Sequence, residues 1–129
     1  MIYRKSIFVL VLALSSMVFA TKYEAESATL SGGAKNVTAS GVSGTGYANL
    51  QEGNISFNGV TAESAGKYQV TIHYKAGDFK ATYLKVNGAT AGTIDFNATT
   101  SWADVTTVAT LKAGTNTISI EKYWGWISV

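Results

Sequence analysis

The chain has 129 residues, with ten basic and eight acidic side chains, three tryptophans, no cysteine and no proline. The absence of cysteine excludes a disulfide framework, thiolate catalysis and cysteine-ligated metal. Arg4 and Lys5 supply two of the ten bases, so Thr21–Val129 balances eight against eight, and a neutral domain with no basic patch is not a nucleic-acid binder by charge.

Residues 1–20 read as a secretory signal peptide. Arg4 and Lys5 form its basic start, Ile7–Leu14 and Met17–Phe19 its apolar core, and Val18-Phe19-Ala20 a small-x-small cleavage site before Thr21. The alternative is a retained N-terminal anchor, although the apolar run is short for a membrane span. With the leader removed, the expectation is a secreted chain with no membrane segment, in which the first twenty residues stand outside the fold. Thr21–Val129 is long enough for one domain with one core.

Period two is the recurring pattern from there on. Strands are expected at Ala28–Leu30, Tyr47–Leu50 and Asn54–Val60, with a Gly/Ser-rich irregular loop over Ser31–Gly46. Lys67–Lys75 alternates most cleanly: Tyr68, Val70, Ile72 and Tyr74 point one way, and Lys67, Gln69, Thr71, His73 and Lys75 the other. Ala81–Asn87 follows with Thr82, Leu84 and Val86 on one face, then the tight turn Asn87-Gly88 and a strand over Thr90–Phe96. Val105–Leu111 alternates except at Val108, which predicts a bulge. A hairpin turn over Lys112–Asn116 leads into Thr115–Glu121, and Trp126–Val129 reads as a last strand. Many short strands at this spacing predict an all-β sandwich.

Several short motifs stand in a definite order: Tyr23-Glu24-Ala25-Glu26, Gly46-Tyr47, Ala65-Gly66-Lys67-Tyr68-Gln69-Val70, Leu84-Lys85-Val86-Asn87-Gly88, Ser101-Trp102, Leu111-Lys112-Ala113-Gly114-Thr115-Asn116-Thr117-Ile118 and Trp124-Gly125-Trp126. In this order they resemble carbohydrate-binding module family 35 and its close relative family 6, over essentially all of Thr21–Val129. The resemblance implies a jelly-roll β-sandwich of the galactose-binding-domain-like type. It implies non-catalytic binding of plant cell-wall sugars at loops on one end of the sandwich, a structural calcium ion (Ca2+), and a glycoside hydrolase as tethered partner. The Trp-Gly-Trp ending is most like members attached to mannan-degrading enzymes.

Each candidate site residue admits a second role. Trp102, in the polar loop Thr99–Ala103, either covers the C–H face of a sugar ring or caps the core, and the resemblance places a binding aromatic there. Tyr47 forms a second wall or is an ordinary strand-start tyrosine. Asn49 shares its face, where an amide suits vicinal hydroxyls or a turn. Asp78, in the loop Lys75–Phe79, accepts sugar hydroxyls or sits in a surface turn, with Phe79 beside it to stack. Parity puts Ile127 and Val129 on the core face and leaves Trp124 and Trp126 outward, Trp124 for ligand and Trp126 against a ligand or a neighbouring loop. Glu24 and Glu26, read as strand residues, place two carboxylates on one face, able to hold a hard cation or to form a solvated acidic edge. The resemblance makes this the calcium pair.

Catalysis by that pair is excluded, because a glycosidase needs two carboxylates about 5–9 Å apart across a cleft. His73 reads as a surface strand residue. The chain departs from the family at its end: no asparagine lies between Tyr123 and Val129 to bond the sugar, and the family's calcium-binding aspartate would fall after Val129. Two further expectations follow, that the chain is the N-terminal piece of a larger glycan-active enzyme, or that it is a structural or adhesion sandwich without sugar affinity.

Overall fold

The computed structural model describes the backbone of residues 2–8, 20–42, 44–125 and 127–129. Its strands are β1 (Ile2–Phe8), β2 (Ala20–Tyr23), β3 (Thr29–Ser31), β4 (Lys35–Thr38), β5 (Gly46–Asn49), β6 (Asn54–Ala62), β7 (Gly66–Tyr74), β8 (Lys80–Val86), β9 (Ala89–Phe96), β10 (Ala103–Leu111) and β11 (Gly114–Trp124). A 3-10 turn spans Ala25–Ser27. Two antiparallel sheets carry the fold, one ordered β10-β7-β1-β2 and the other β3-β6-β11-β8-β9, with β4 and β5 as a separate pair.

The core lies between the inward faces of these sheets. Tyr68, Val70 and Ile72 of β7 are fully buried and Tyr74 nearly so; they meet Ile55 and Phe57 of β6, Leu84 of β8, Ile94 and Phe96 of β9, and Ile118 and Ile120 of β11. Burying side chains of this size contributes roughly 1.5–3 kcal/mol each. The two buried tyrosines satisfy their hydroxyls on backbone: Tyr68 donates to the Ser64 carbonyl at 2.8 Å and Tyr74 to that of Asn97 at 2.9 Å.

The turn at Asn87-Gly88 has both residues at positive φ, 52° and 85°, and closes the β8–β9 hairpin on the pair Val86–Ala89. This is the mirror-image turn that matches strand twist. Asn116 ties that hairpin to the next. It is 1 % exposed, and its Oδ1 accepts from Asn87 Nδ2 at 2.9 Å and from the Lys112 N–H at 3.0 Å. Its Nδ2 donates to the carbonyls of Lys112, Gly114 and Val60 at 2.9, 3.2 and 3.4 Å.

Two expectations are corrected. Ser31–Gly46 is not wholly irregular, because β4 pairs with β5 from Lys35–Asn49 to Thr38–Gly46. β10 carries no bulge: its register with β7 is unbroken from Ala103–Tyr74 to Leu111–Gly66, and Val108, 48 % exposed, points outward with the polar residues. Ile2–Phe8 lies between β7 and β2, antiparallel to both. The physical reason is an open lane of backbone donors and acceptors on β2 and β7, which a strand-prone segment satisfies. The end of the chain behaves as parity requires: Ile127 and Val129 are buried, and Ser128 bridges Asn49 on one side and Lys75 on the other.

Replacing Asn116 by alanine strips partners from buried carbonyls and from the Lys112 N–H. Each such loss costs about 1–3 kcal/mol, so Asn116→Ala lowers unfolding free energy by about 2–4 kcal/mol in urea titrations. A loss under about 0.5 kcal/mol would show that the amide does not tie the hairpins.

Candidate functional site

Because Tyr74 and Ile72 face the core, His73 and Lys75 face out. Asp104 of β10 stands directly opposite His73, and His73 Nδ1 lies 2.6 Å from Asp104 Oδ1. Trp102 comes two residues earlier on the same chain. Its indole stacks on the His73 ring, centroids 5.4 Å apart and planes 14° from parallel. The Tyr47 ring meets Trp102 edge-on from the other strand pair, at 5.3 Å and 67°. All three rings are half-buried, so each is held by neighbours while part of its surface meets solvent.

The loop that presents Trp102 is pinned at its root. The Thr99 N–H donates to the Ala76 carbonyl at 2.8 Å, the Ala76 N–H donates to Thr99 Oγ1 at 3.1 Å, and Tyr74 holds Asn97 as above. Tyr47 is placed by β5, whose Ala48 is buried inward, as is Leu50 just after it. Ala48 exchanges two 2.8 Å hydrogen bonds with Val129, and the Leu50 N–H donates to the Ile127 carbonyl at 3.0 Å. The aromatic face therefore rests on the C-terminal segment.

Asn49 shares the outward face with Tyr47. Its Oδ1 accepts from the Gln51 N–H at 3.2 Å, where Gln51 sits at φ 48°, so the residue shapes a turn. Asp78 is bonded to Lys80, Nζ to Oδ2 at 3.2 Å. The Lys80 side chain runs over Gly125, whose φ of 72° is a backbone conformation that favours glycine between Trp124 and the residue after it. Trp124, at the end of β11, is 64 % exposed, and Tyr123 beside it packs its ring on Tyr83 at 4.6 Å. The structure thus puts Tyr47, Asn49 and Trp102 together, and Asp78 with Lys80 beside Gly125 and Trp124. Trp126 lies outside the described residues.

His73 and Asp104 were not singled out by sequence. A lone histidine and an aspartate in separate strands carry no motif. Only the pairing register makes them opposite neighbours and sets Trp102 above them.

Glu24 and Glu26 do not lie on a strand. Glu24 caps the 3-10 turn and Glu26 lies within it. Their carboxylates nonetheless converge, both carboxyl carbons lying within 3.3 Å of where a Cβ on Gly44 would stand. Lys22 Nζ is 2.7 Å from Glu24 Oε1, and the Thr45 N–H donates to Glu26 Oε1 at 2.9 Å. The Oε2 atoms of both are shut off from solvent, and that of Glu26 accepts no hydrogen bond among the described residues. A buried carboxylate oxygen without a donor is what a hard cation satisfies. Among the described residues no group of three or more His, Cys, Asp or Glu side chains converges.

A two-sheet sandwich that presents half-buried aromatic rings beside amide and hydroxyl groups has the build of a carbohydrate-binding module. The chain belongs to carbohydrate-binding module family 35, whose family model matches residues 21–129, and its fold is the jelly-roll sandwich of that family. It is similar to a mannan endo-1,4-beta-mannosidase of Thermothelomyces thermophilus, 36 % identical over 116 residues, covering 85 % of this chain and 24 % of that protein. A mannan endo-1,4-beta-mannosidase B of Piromyces sp is 36 % identical over 132 residues, covering 95 % and 22 %. The chain thus spans about a quarter of the length of these curated relatives. Among solved structures, a family 35 carbohydrate binding module from Clostridium thermocellum superposes with TM-score 0.72 at 28 % identity, covering 82 % of this chain and 93 % of that one. The Podospora anserina GH26-CBM35 beta-(1,4)-mannanase superposes with TM-score 0.71 at 34 % identity, covering 82 % and 25 %.

If His73 holds the indole, removing it frees Trp102. In a Trp124→Phe/Trp126→Phe background, where Trp102 is the one indole, His73→Ala lowers the steady-state fluorescence anisotropy of the folded chain. Unchanged anisotropy would show that Tyr47 alone orients the ring.

Proposed function

We propose that the chain is a non-catalytic module that binds a plant cell-wall polysaccharide of the β-mannan type and serves a glycoside hydrolase joined to it. The observation that carries this reading is Trp102, held edge-on by Tyr47 and stacked on His73 while only half-buried. A pyranose ring offers a face of C–H bonds, and an indole fixed in advance covers it with little entropic cost. Asn49 and Ser128 beside the rings supply polar contacts for hydroxyls, and exposed Trp124 supplies a second apolar surface. The mannan assignment is supported by the mannanase relatives and by the mannanase neighbour of known structure. Joining such a module to an enzyme raises the enzyme's effective concentration at insoluble substrate. The leader-like pattern of residues 1–20 supports an extracellular location.

Within the same proposal, Glu24 and Glu26 bind calcium as a structural ion. The buried Glu26 Oε2 and the close approach of Gly44 support it. Backbone carbonyls or water complete the shell, since Ca2+ takes roughly 6–8 oxygen ligands.

Affinity electrophoresis in gels containing mannan, xylan or pectin tests the ligand. Mannan retards the protein, and Trp102→Ala loses about 2 kcal/mol or more, roughly thirtyfold in affinity. Equal mobility of wild type and Trp102→Ala in every gel sinks the reading and leaves a structural or adhesion sandwich. A reducing-sugar assay on the same polysaccharides yields no product; product release would make the chain an enzyme.

Calcium is tested without any ligand. Adding Ca2+ after EDTA treatment raises the melting temperature in proportion to the logarithm of its concentration, and Glu26→Gln removes that rise. A melting temperature indifferent to Ca2+ would leave the carboxylates as an acidic turn.

A further inference from the structure

We infer that β10 is an interface between two copies of this chain, paired edge to edge and antiparallel about Thr107. β10 is the outer strand of its sheet and, among the described residues, pairs with β7 alone. Such an edge offers every second backbone N–H and C=O to another strand, and folded proteins blunt it with shortness, charge or a bulge. The other outer strands of the two sheets carry these devices. β3 has three residues, and β2 has four, Lys22 among them. β9 is interrupted by a register shift that leaves Ala91 unpaired opposite Leu84 and Lys85. β10 has none of them: it runs for nine residues in unbroken register, with no glycine or proline and one charge, Asp104, near its start.

The side chains fit a second copy. On the outer face Val108 is 48 % exposed between Thr106 and Thr110. On the inner face Val105 and Thr107 point toward the core yet are only half-buried at this open side of the sheet. A second β10 run antiparallel about Thr107 sets Thr106 opposite Val108, Val105 opposite Ala109 and Asp104 opposite Thr110. Each Val108 then covers a threonine methyl, each Val105 gains an apolar neighbour, and the two Asp104 carboxylates stay apart. Thr107 is the midpoint of the strand, so this register pairs β10 over its full length. It is also self-complementary, so a two-fold axis closes the contact and leaves no β10 edge for a third copy. If Trp102 binds sugar as proposed above, the dimer is bivalent. Trp102 comes opposite Lys112 of the second copy, so the two aromatic faces lie on one surface of the joined sheet, about 34 Å apart along it. Two sites on one body grip a long polysaccharide more tightly than either alone.

The test uses the full chain with no sugar present, so it stands apart from the mannan reading. Sedimentation velocity from about 10 μM to about 1 mM reads the mass, since a contact of this small class associates in that range. The mass doubles across the series. Val108→Lys sets a charge on the seam at an exposed position, keeps the monomer's mass throughout and leaves the melting temperature unchanged. Amide exchange read by NMR locates the contact. Every second N–H between Asp104 and Thr110 exchanges about tenfold more slowly or better at the high concentration, while those between, bonded to β7, are protected throughout. Should Val108→Lys fail to fold, this alternating pattern in the unaltered chain decides the question. The inference is overturned if the chain stays monomeric at the highest concentration, if Val108→Lys dimerises as well as the unaltered chain, or if the concentration-dependent protection falls on another strand.

Discussion

Tyr68, Val70, Ile72 and Tyr74 are all buried on one face of β7, and this alternation governs most of what the molecule presents. With a side-chain period of two, burying Tyr74 turns His73 and Lys75 outward. The unbroken register with β10 then brings Asp104 opposite His73 and Trp102 over its ring. A slip of β7 by one residue would bury His73 and expel the tyrosines. The core packing and the aromatic face are thus two sides of one constraint. The Tyr74 hydroxyl strengthens it by holding Asn97, at the start of the loop that leads to Trp102.

The second support is the C-terminal segment. Ile127 and Val129 bury their side chains while their backbone groups bond β5, and Ser128 bonds Lys75. Tyr47 of β5 and Trp102 before β10 are brought to the same face across this seam. The carboxylate turn is organised separately, by Gly44 closing over Glu24 and Glu26 and by the Thr45 N–H. Gly44 and Thr45 lie just ahead of Tyr47, so a cation at the turn would stiffen the approach to one wall of the aromatic face.

Strands with strict alternation were legible in the sequence. Lys67–Lys75 and Ala81–Asn87 are present within a residue of their expected limits, because each buries one face and turns the other to water. The burial of Ile127 and Val129 followed from parity alone. β5 was legible as a strand at Tyr47–Leu50, but its partner β4 was not, since its residues are mostly exposed and embedded in a Gly/Ser-rich stretch. Val108 misled because an apolar residue on an outward face is indistinguishable in one dimension from a bulge. Glu24 and Glu26 were placed on a strand, whereas the backbone at Ala25–Ser27 tightens into a 3-10 turn that tucks Ala25 into the core. The family motifs named Tyr47 and Trp102, but the His73–Asp104 pair beneath them depends on long-range register, which no local pattern records. The position of Ile2–Phe8 depends likewise on a lane formed by strands far away in the chain.

The most direct test of the central claim, that the face built by Tyr47, His73 and Trp102 receives the sugar, is a two-dimensional nitrogen–proton NMR titration with soluble manno-oligosaccharides. The account predicts that the indole N–H of Trp102 and the backbone amides of Tyr47, Asn49, His73 and Ser128 shift together along one saturable curve. Saturable shifts confined to a different face of the sandwich, with these signals unmoved, would contradict it.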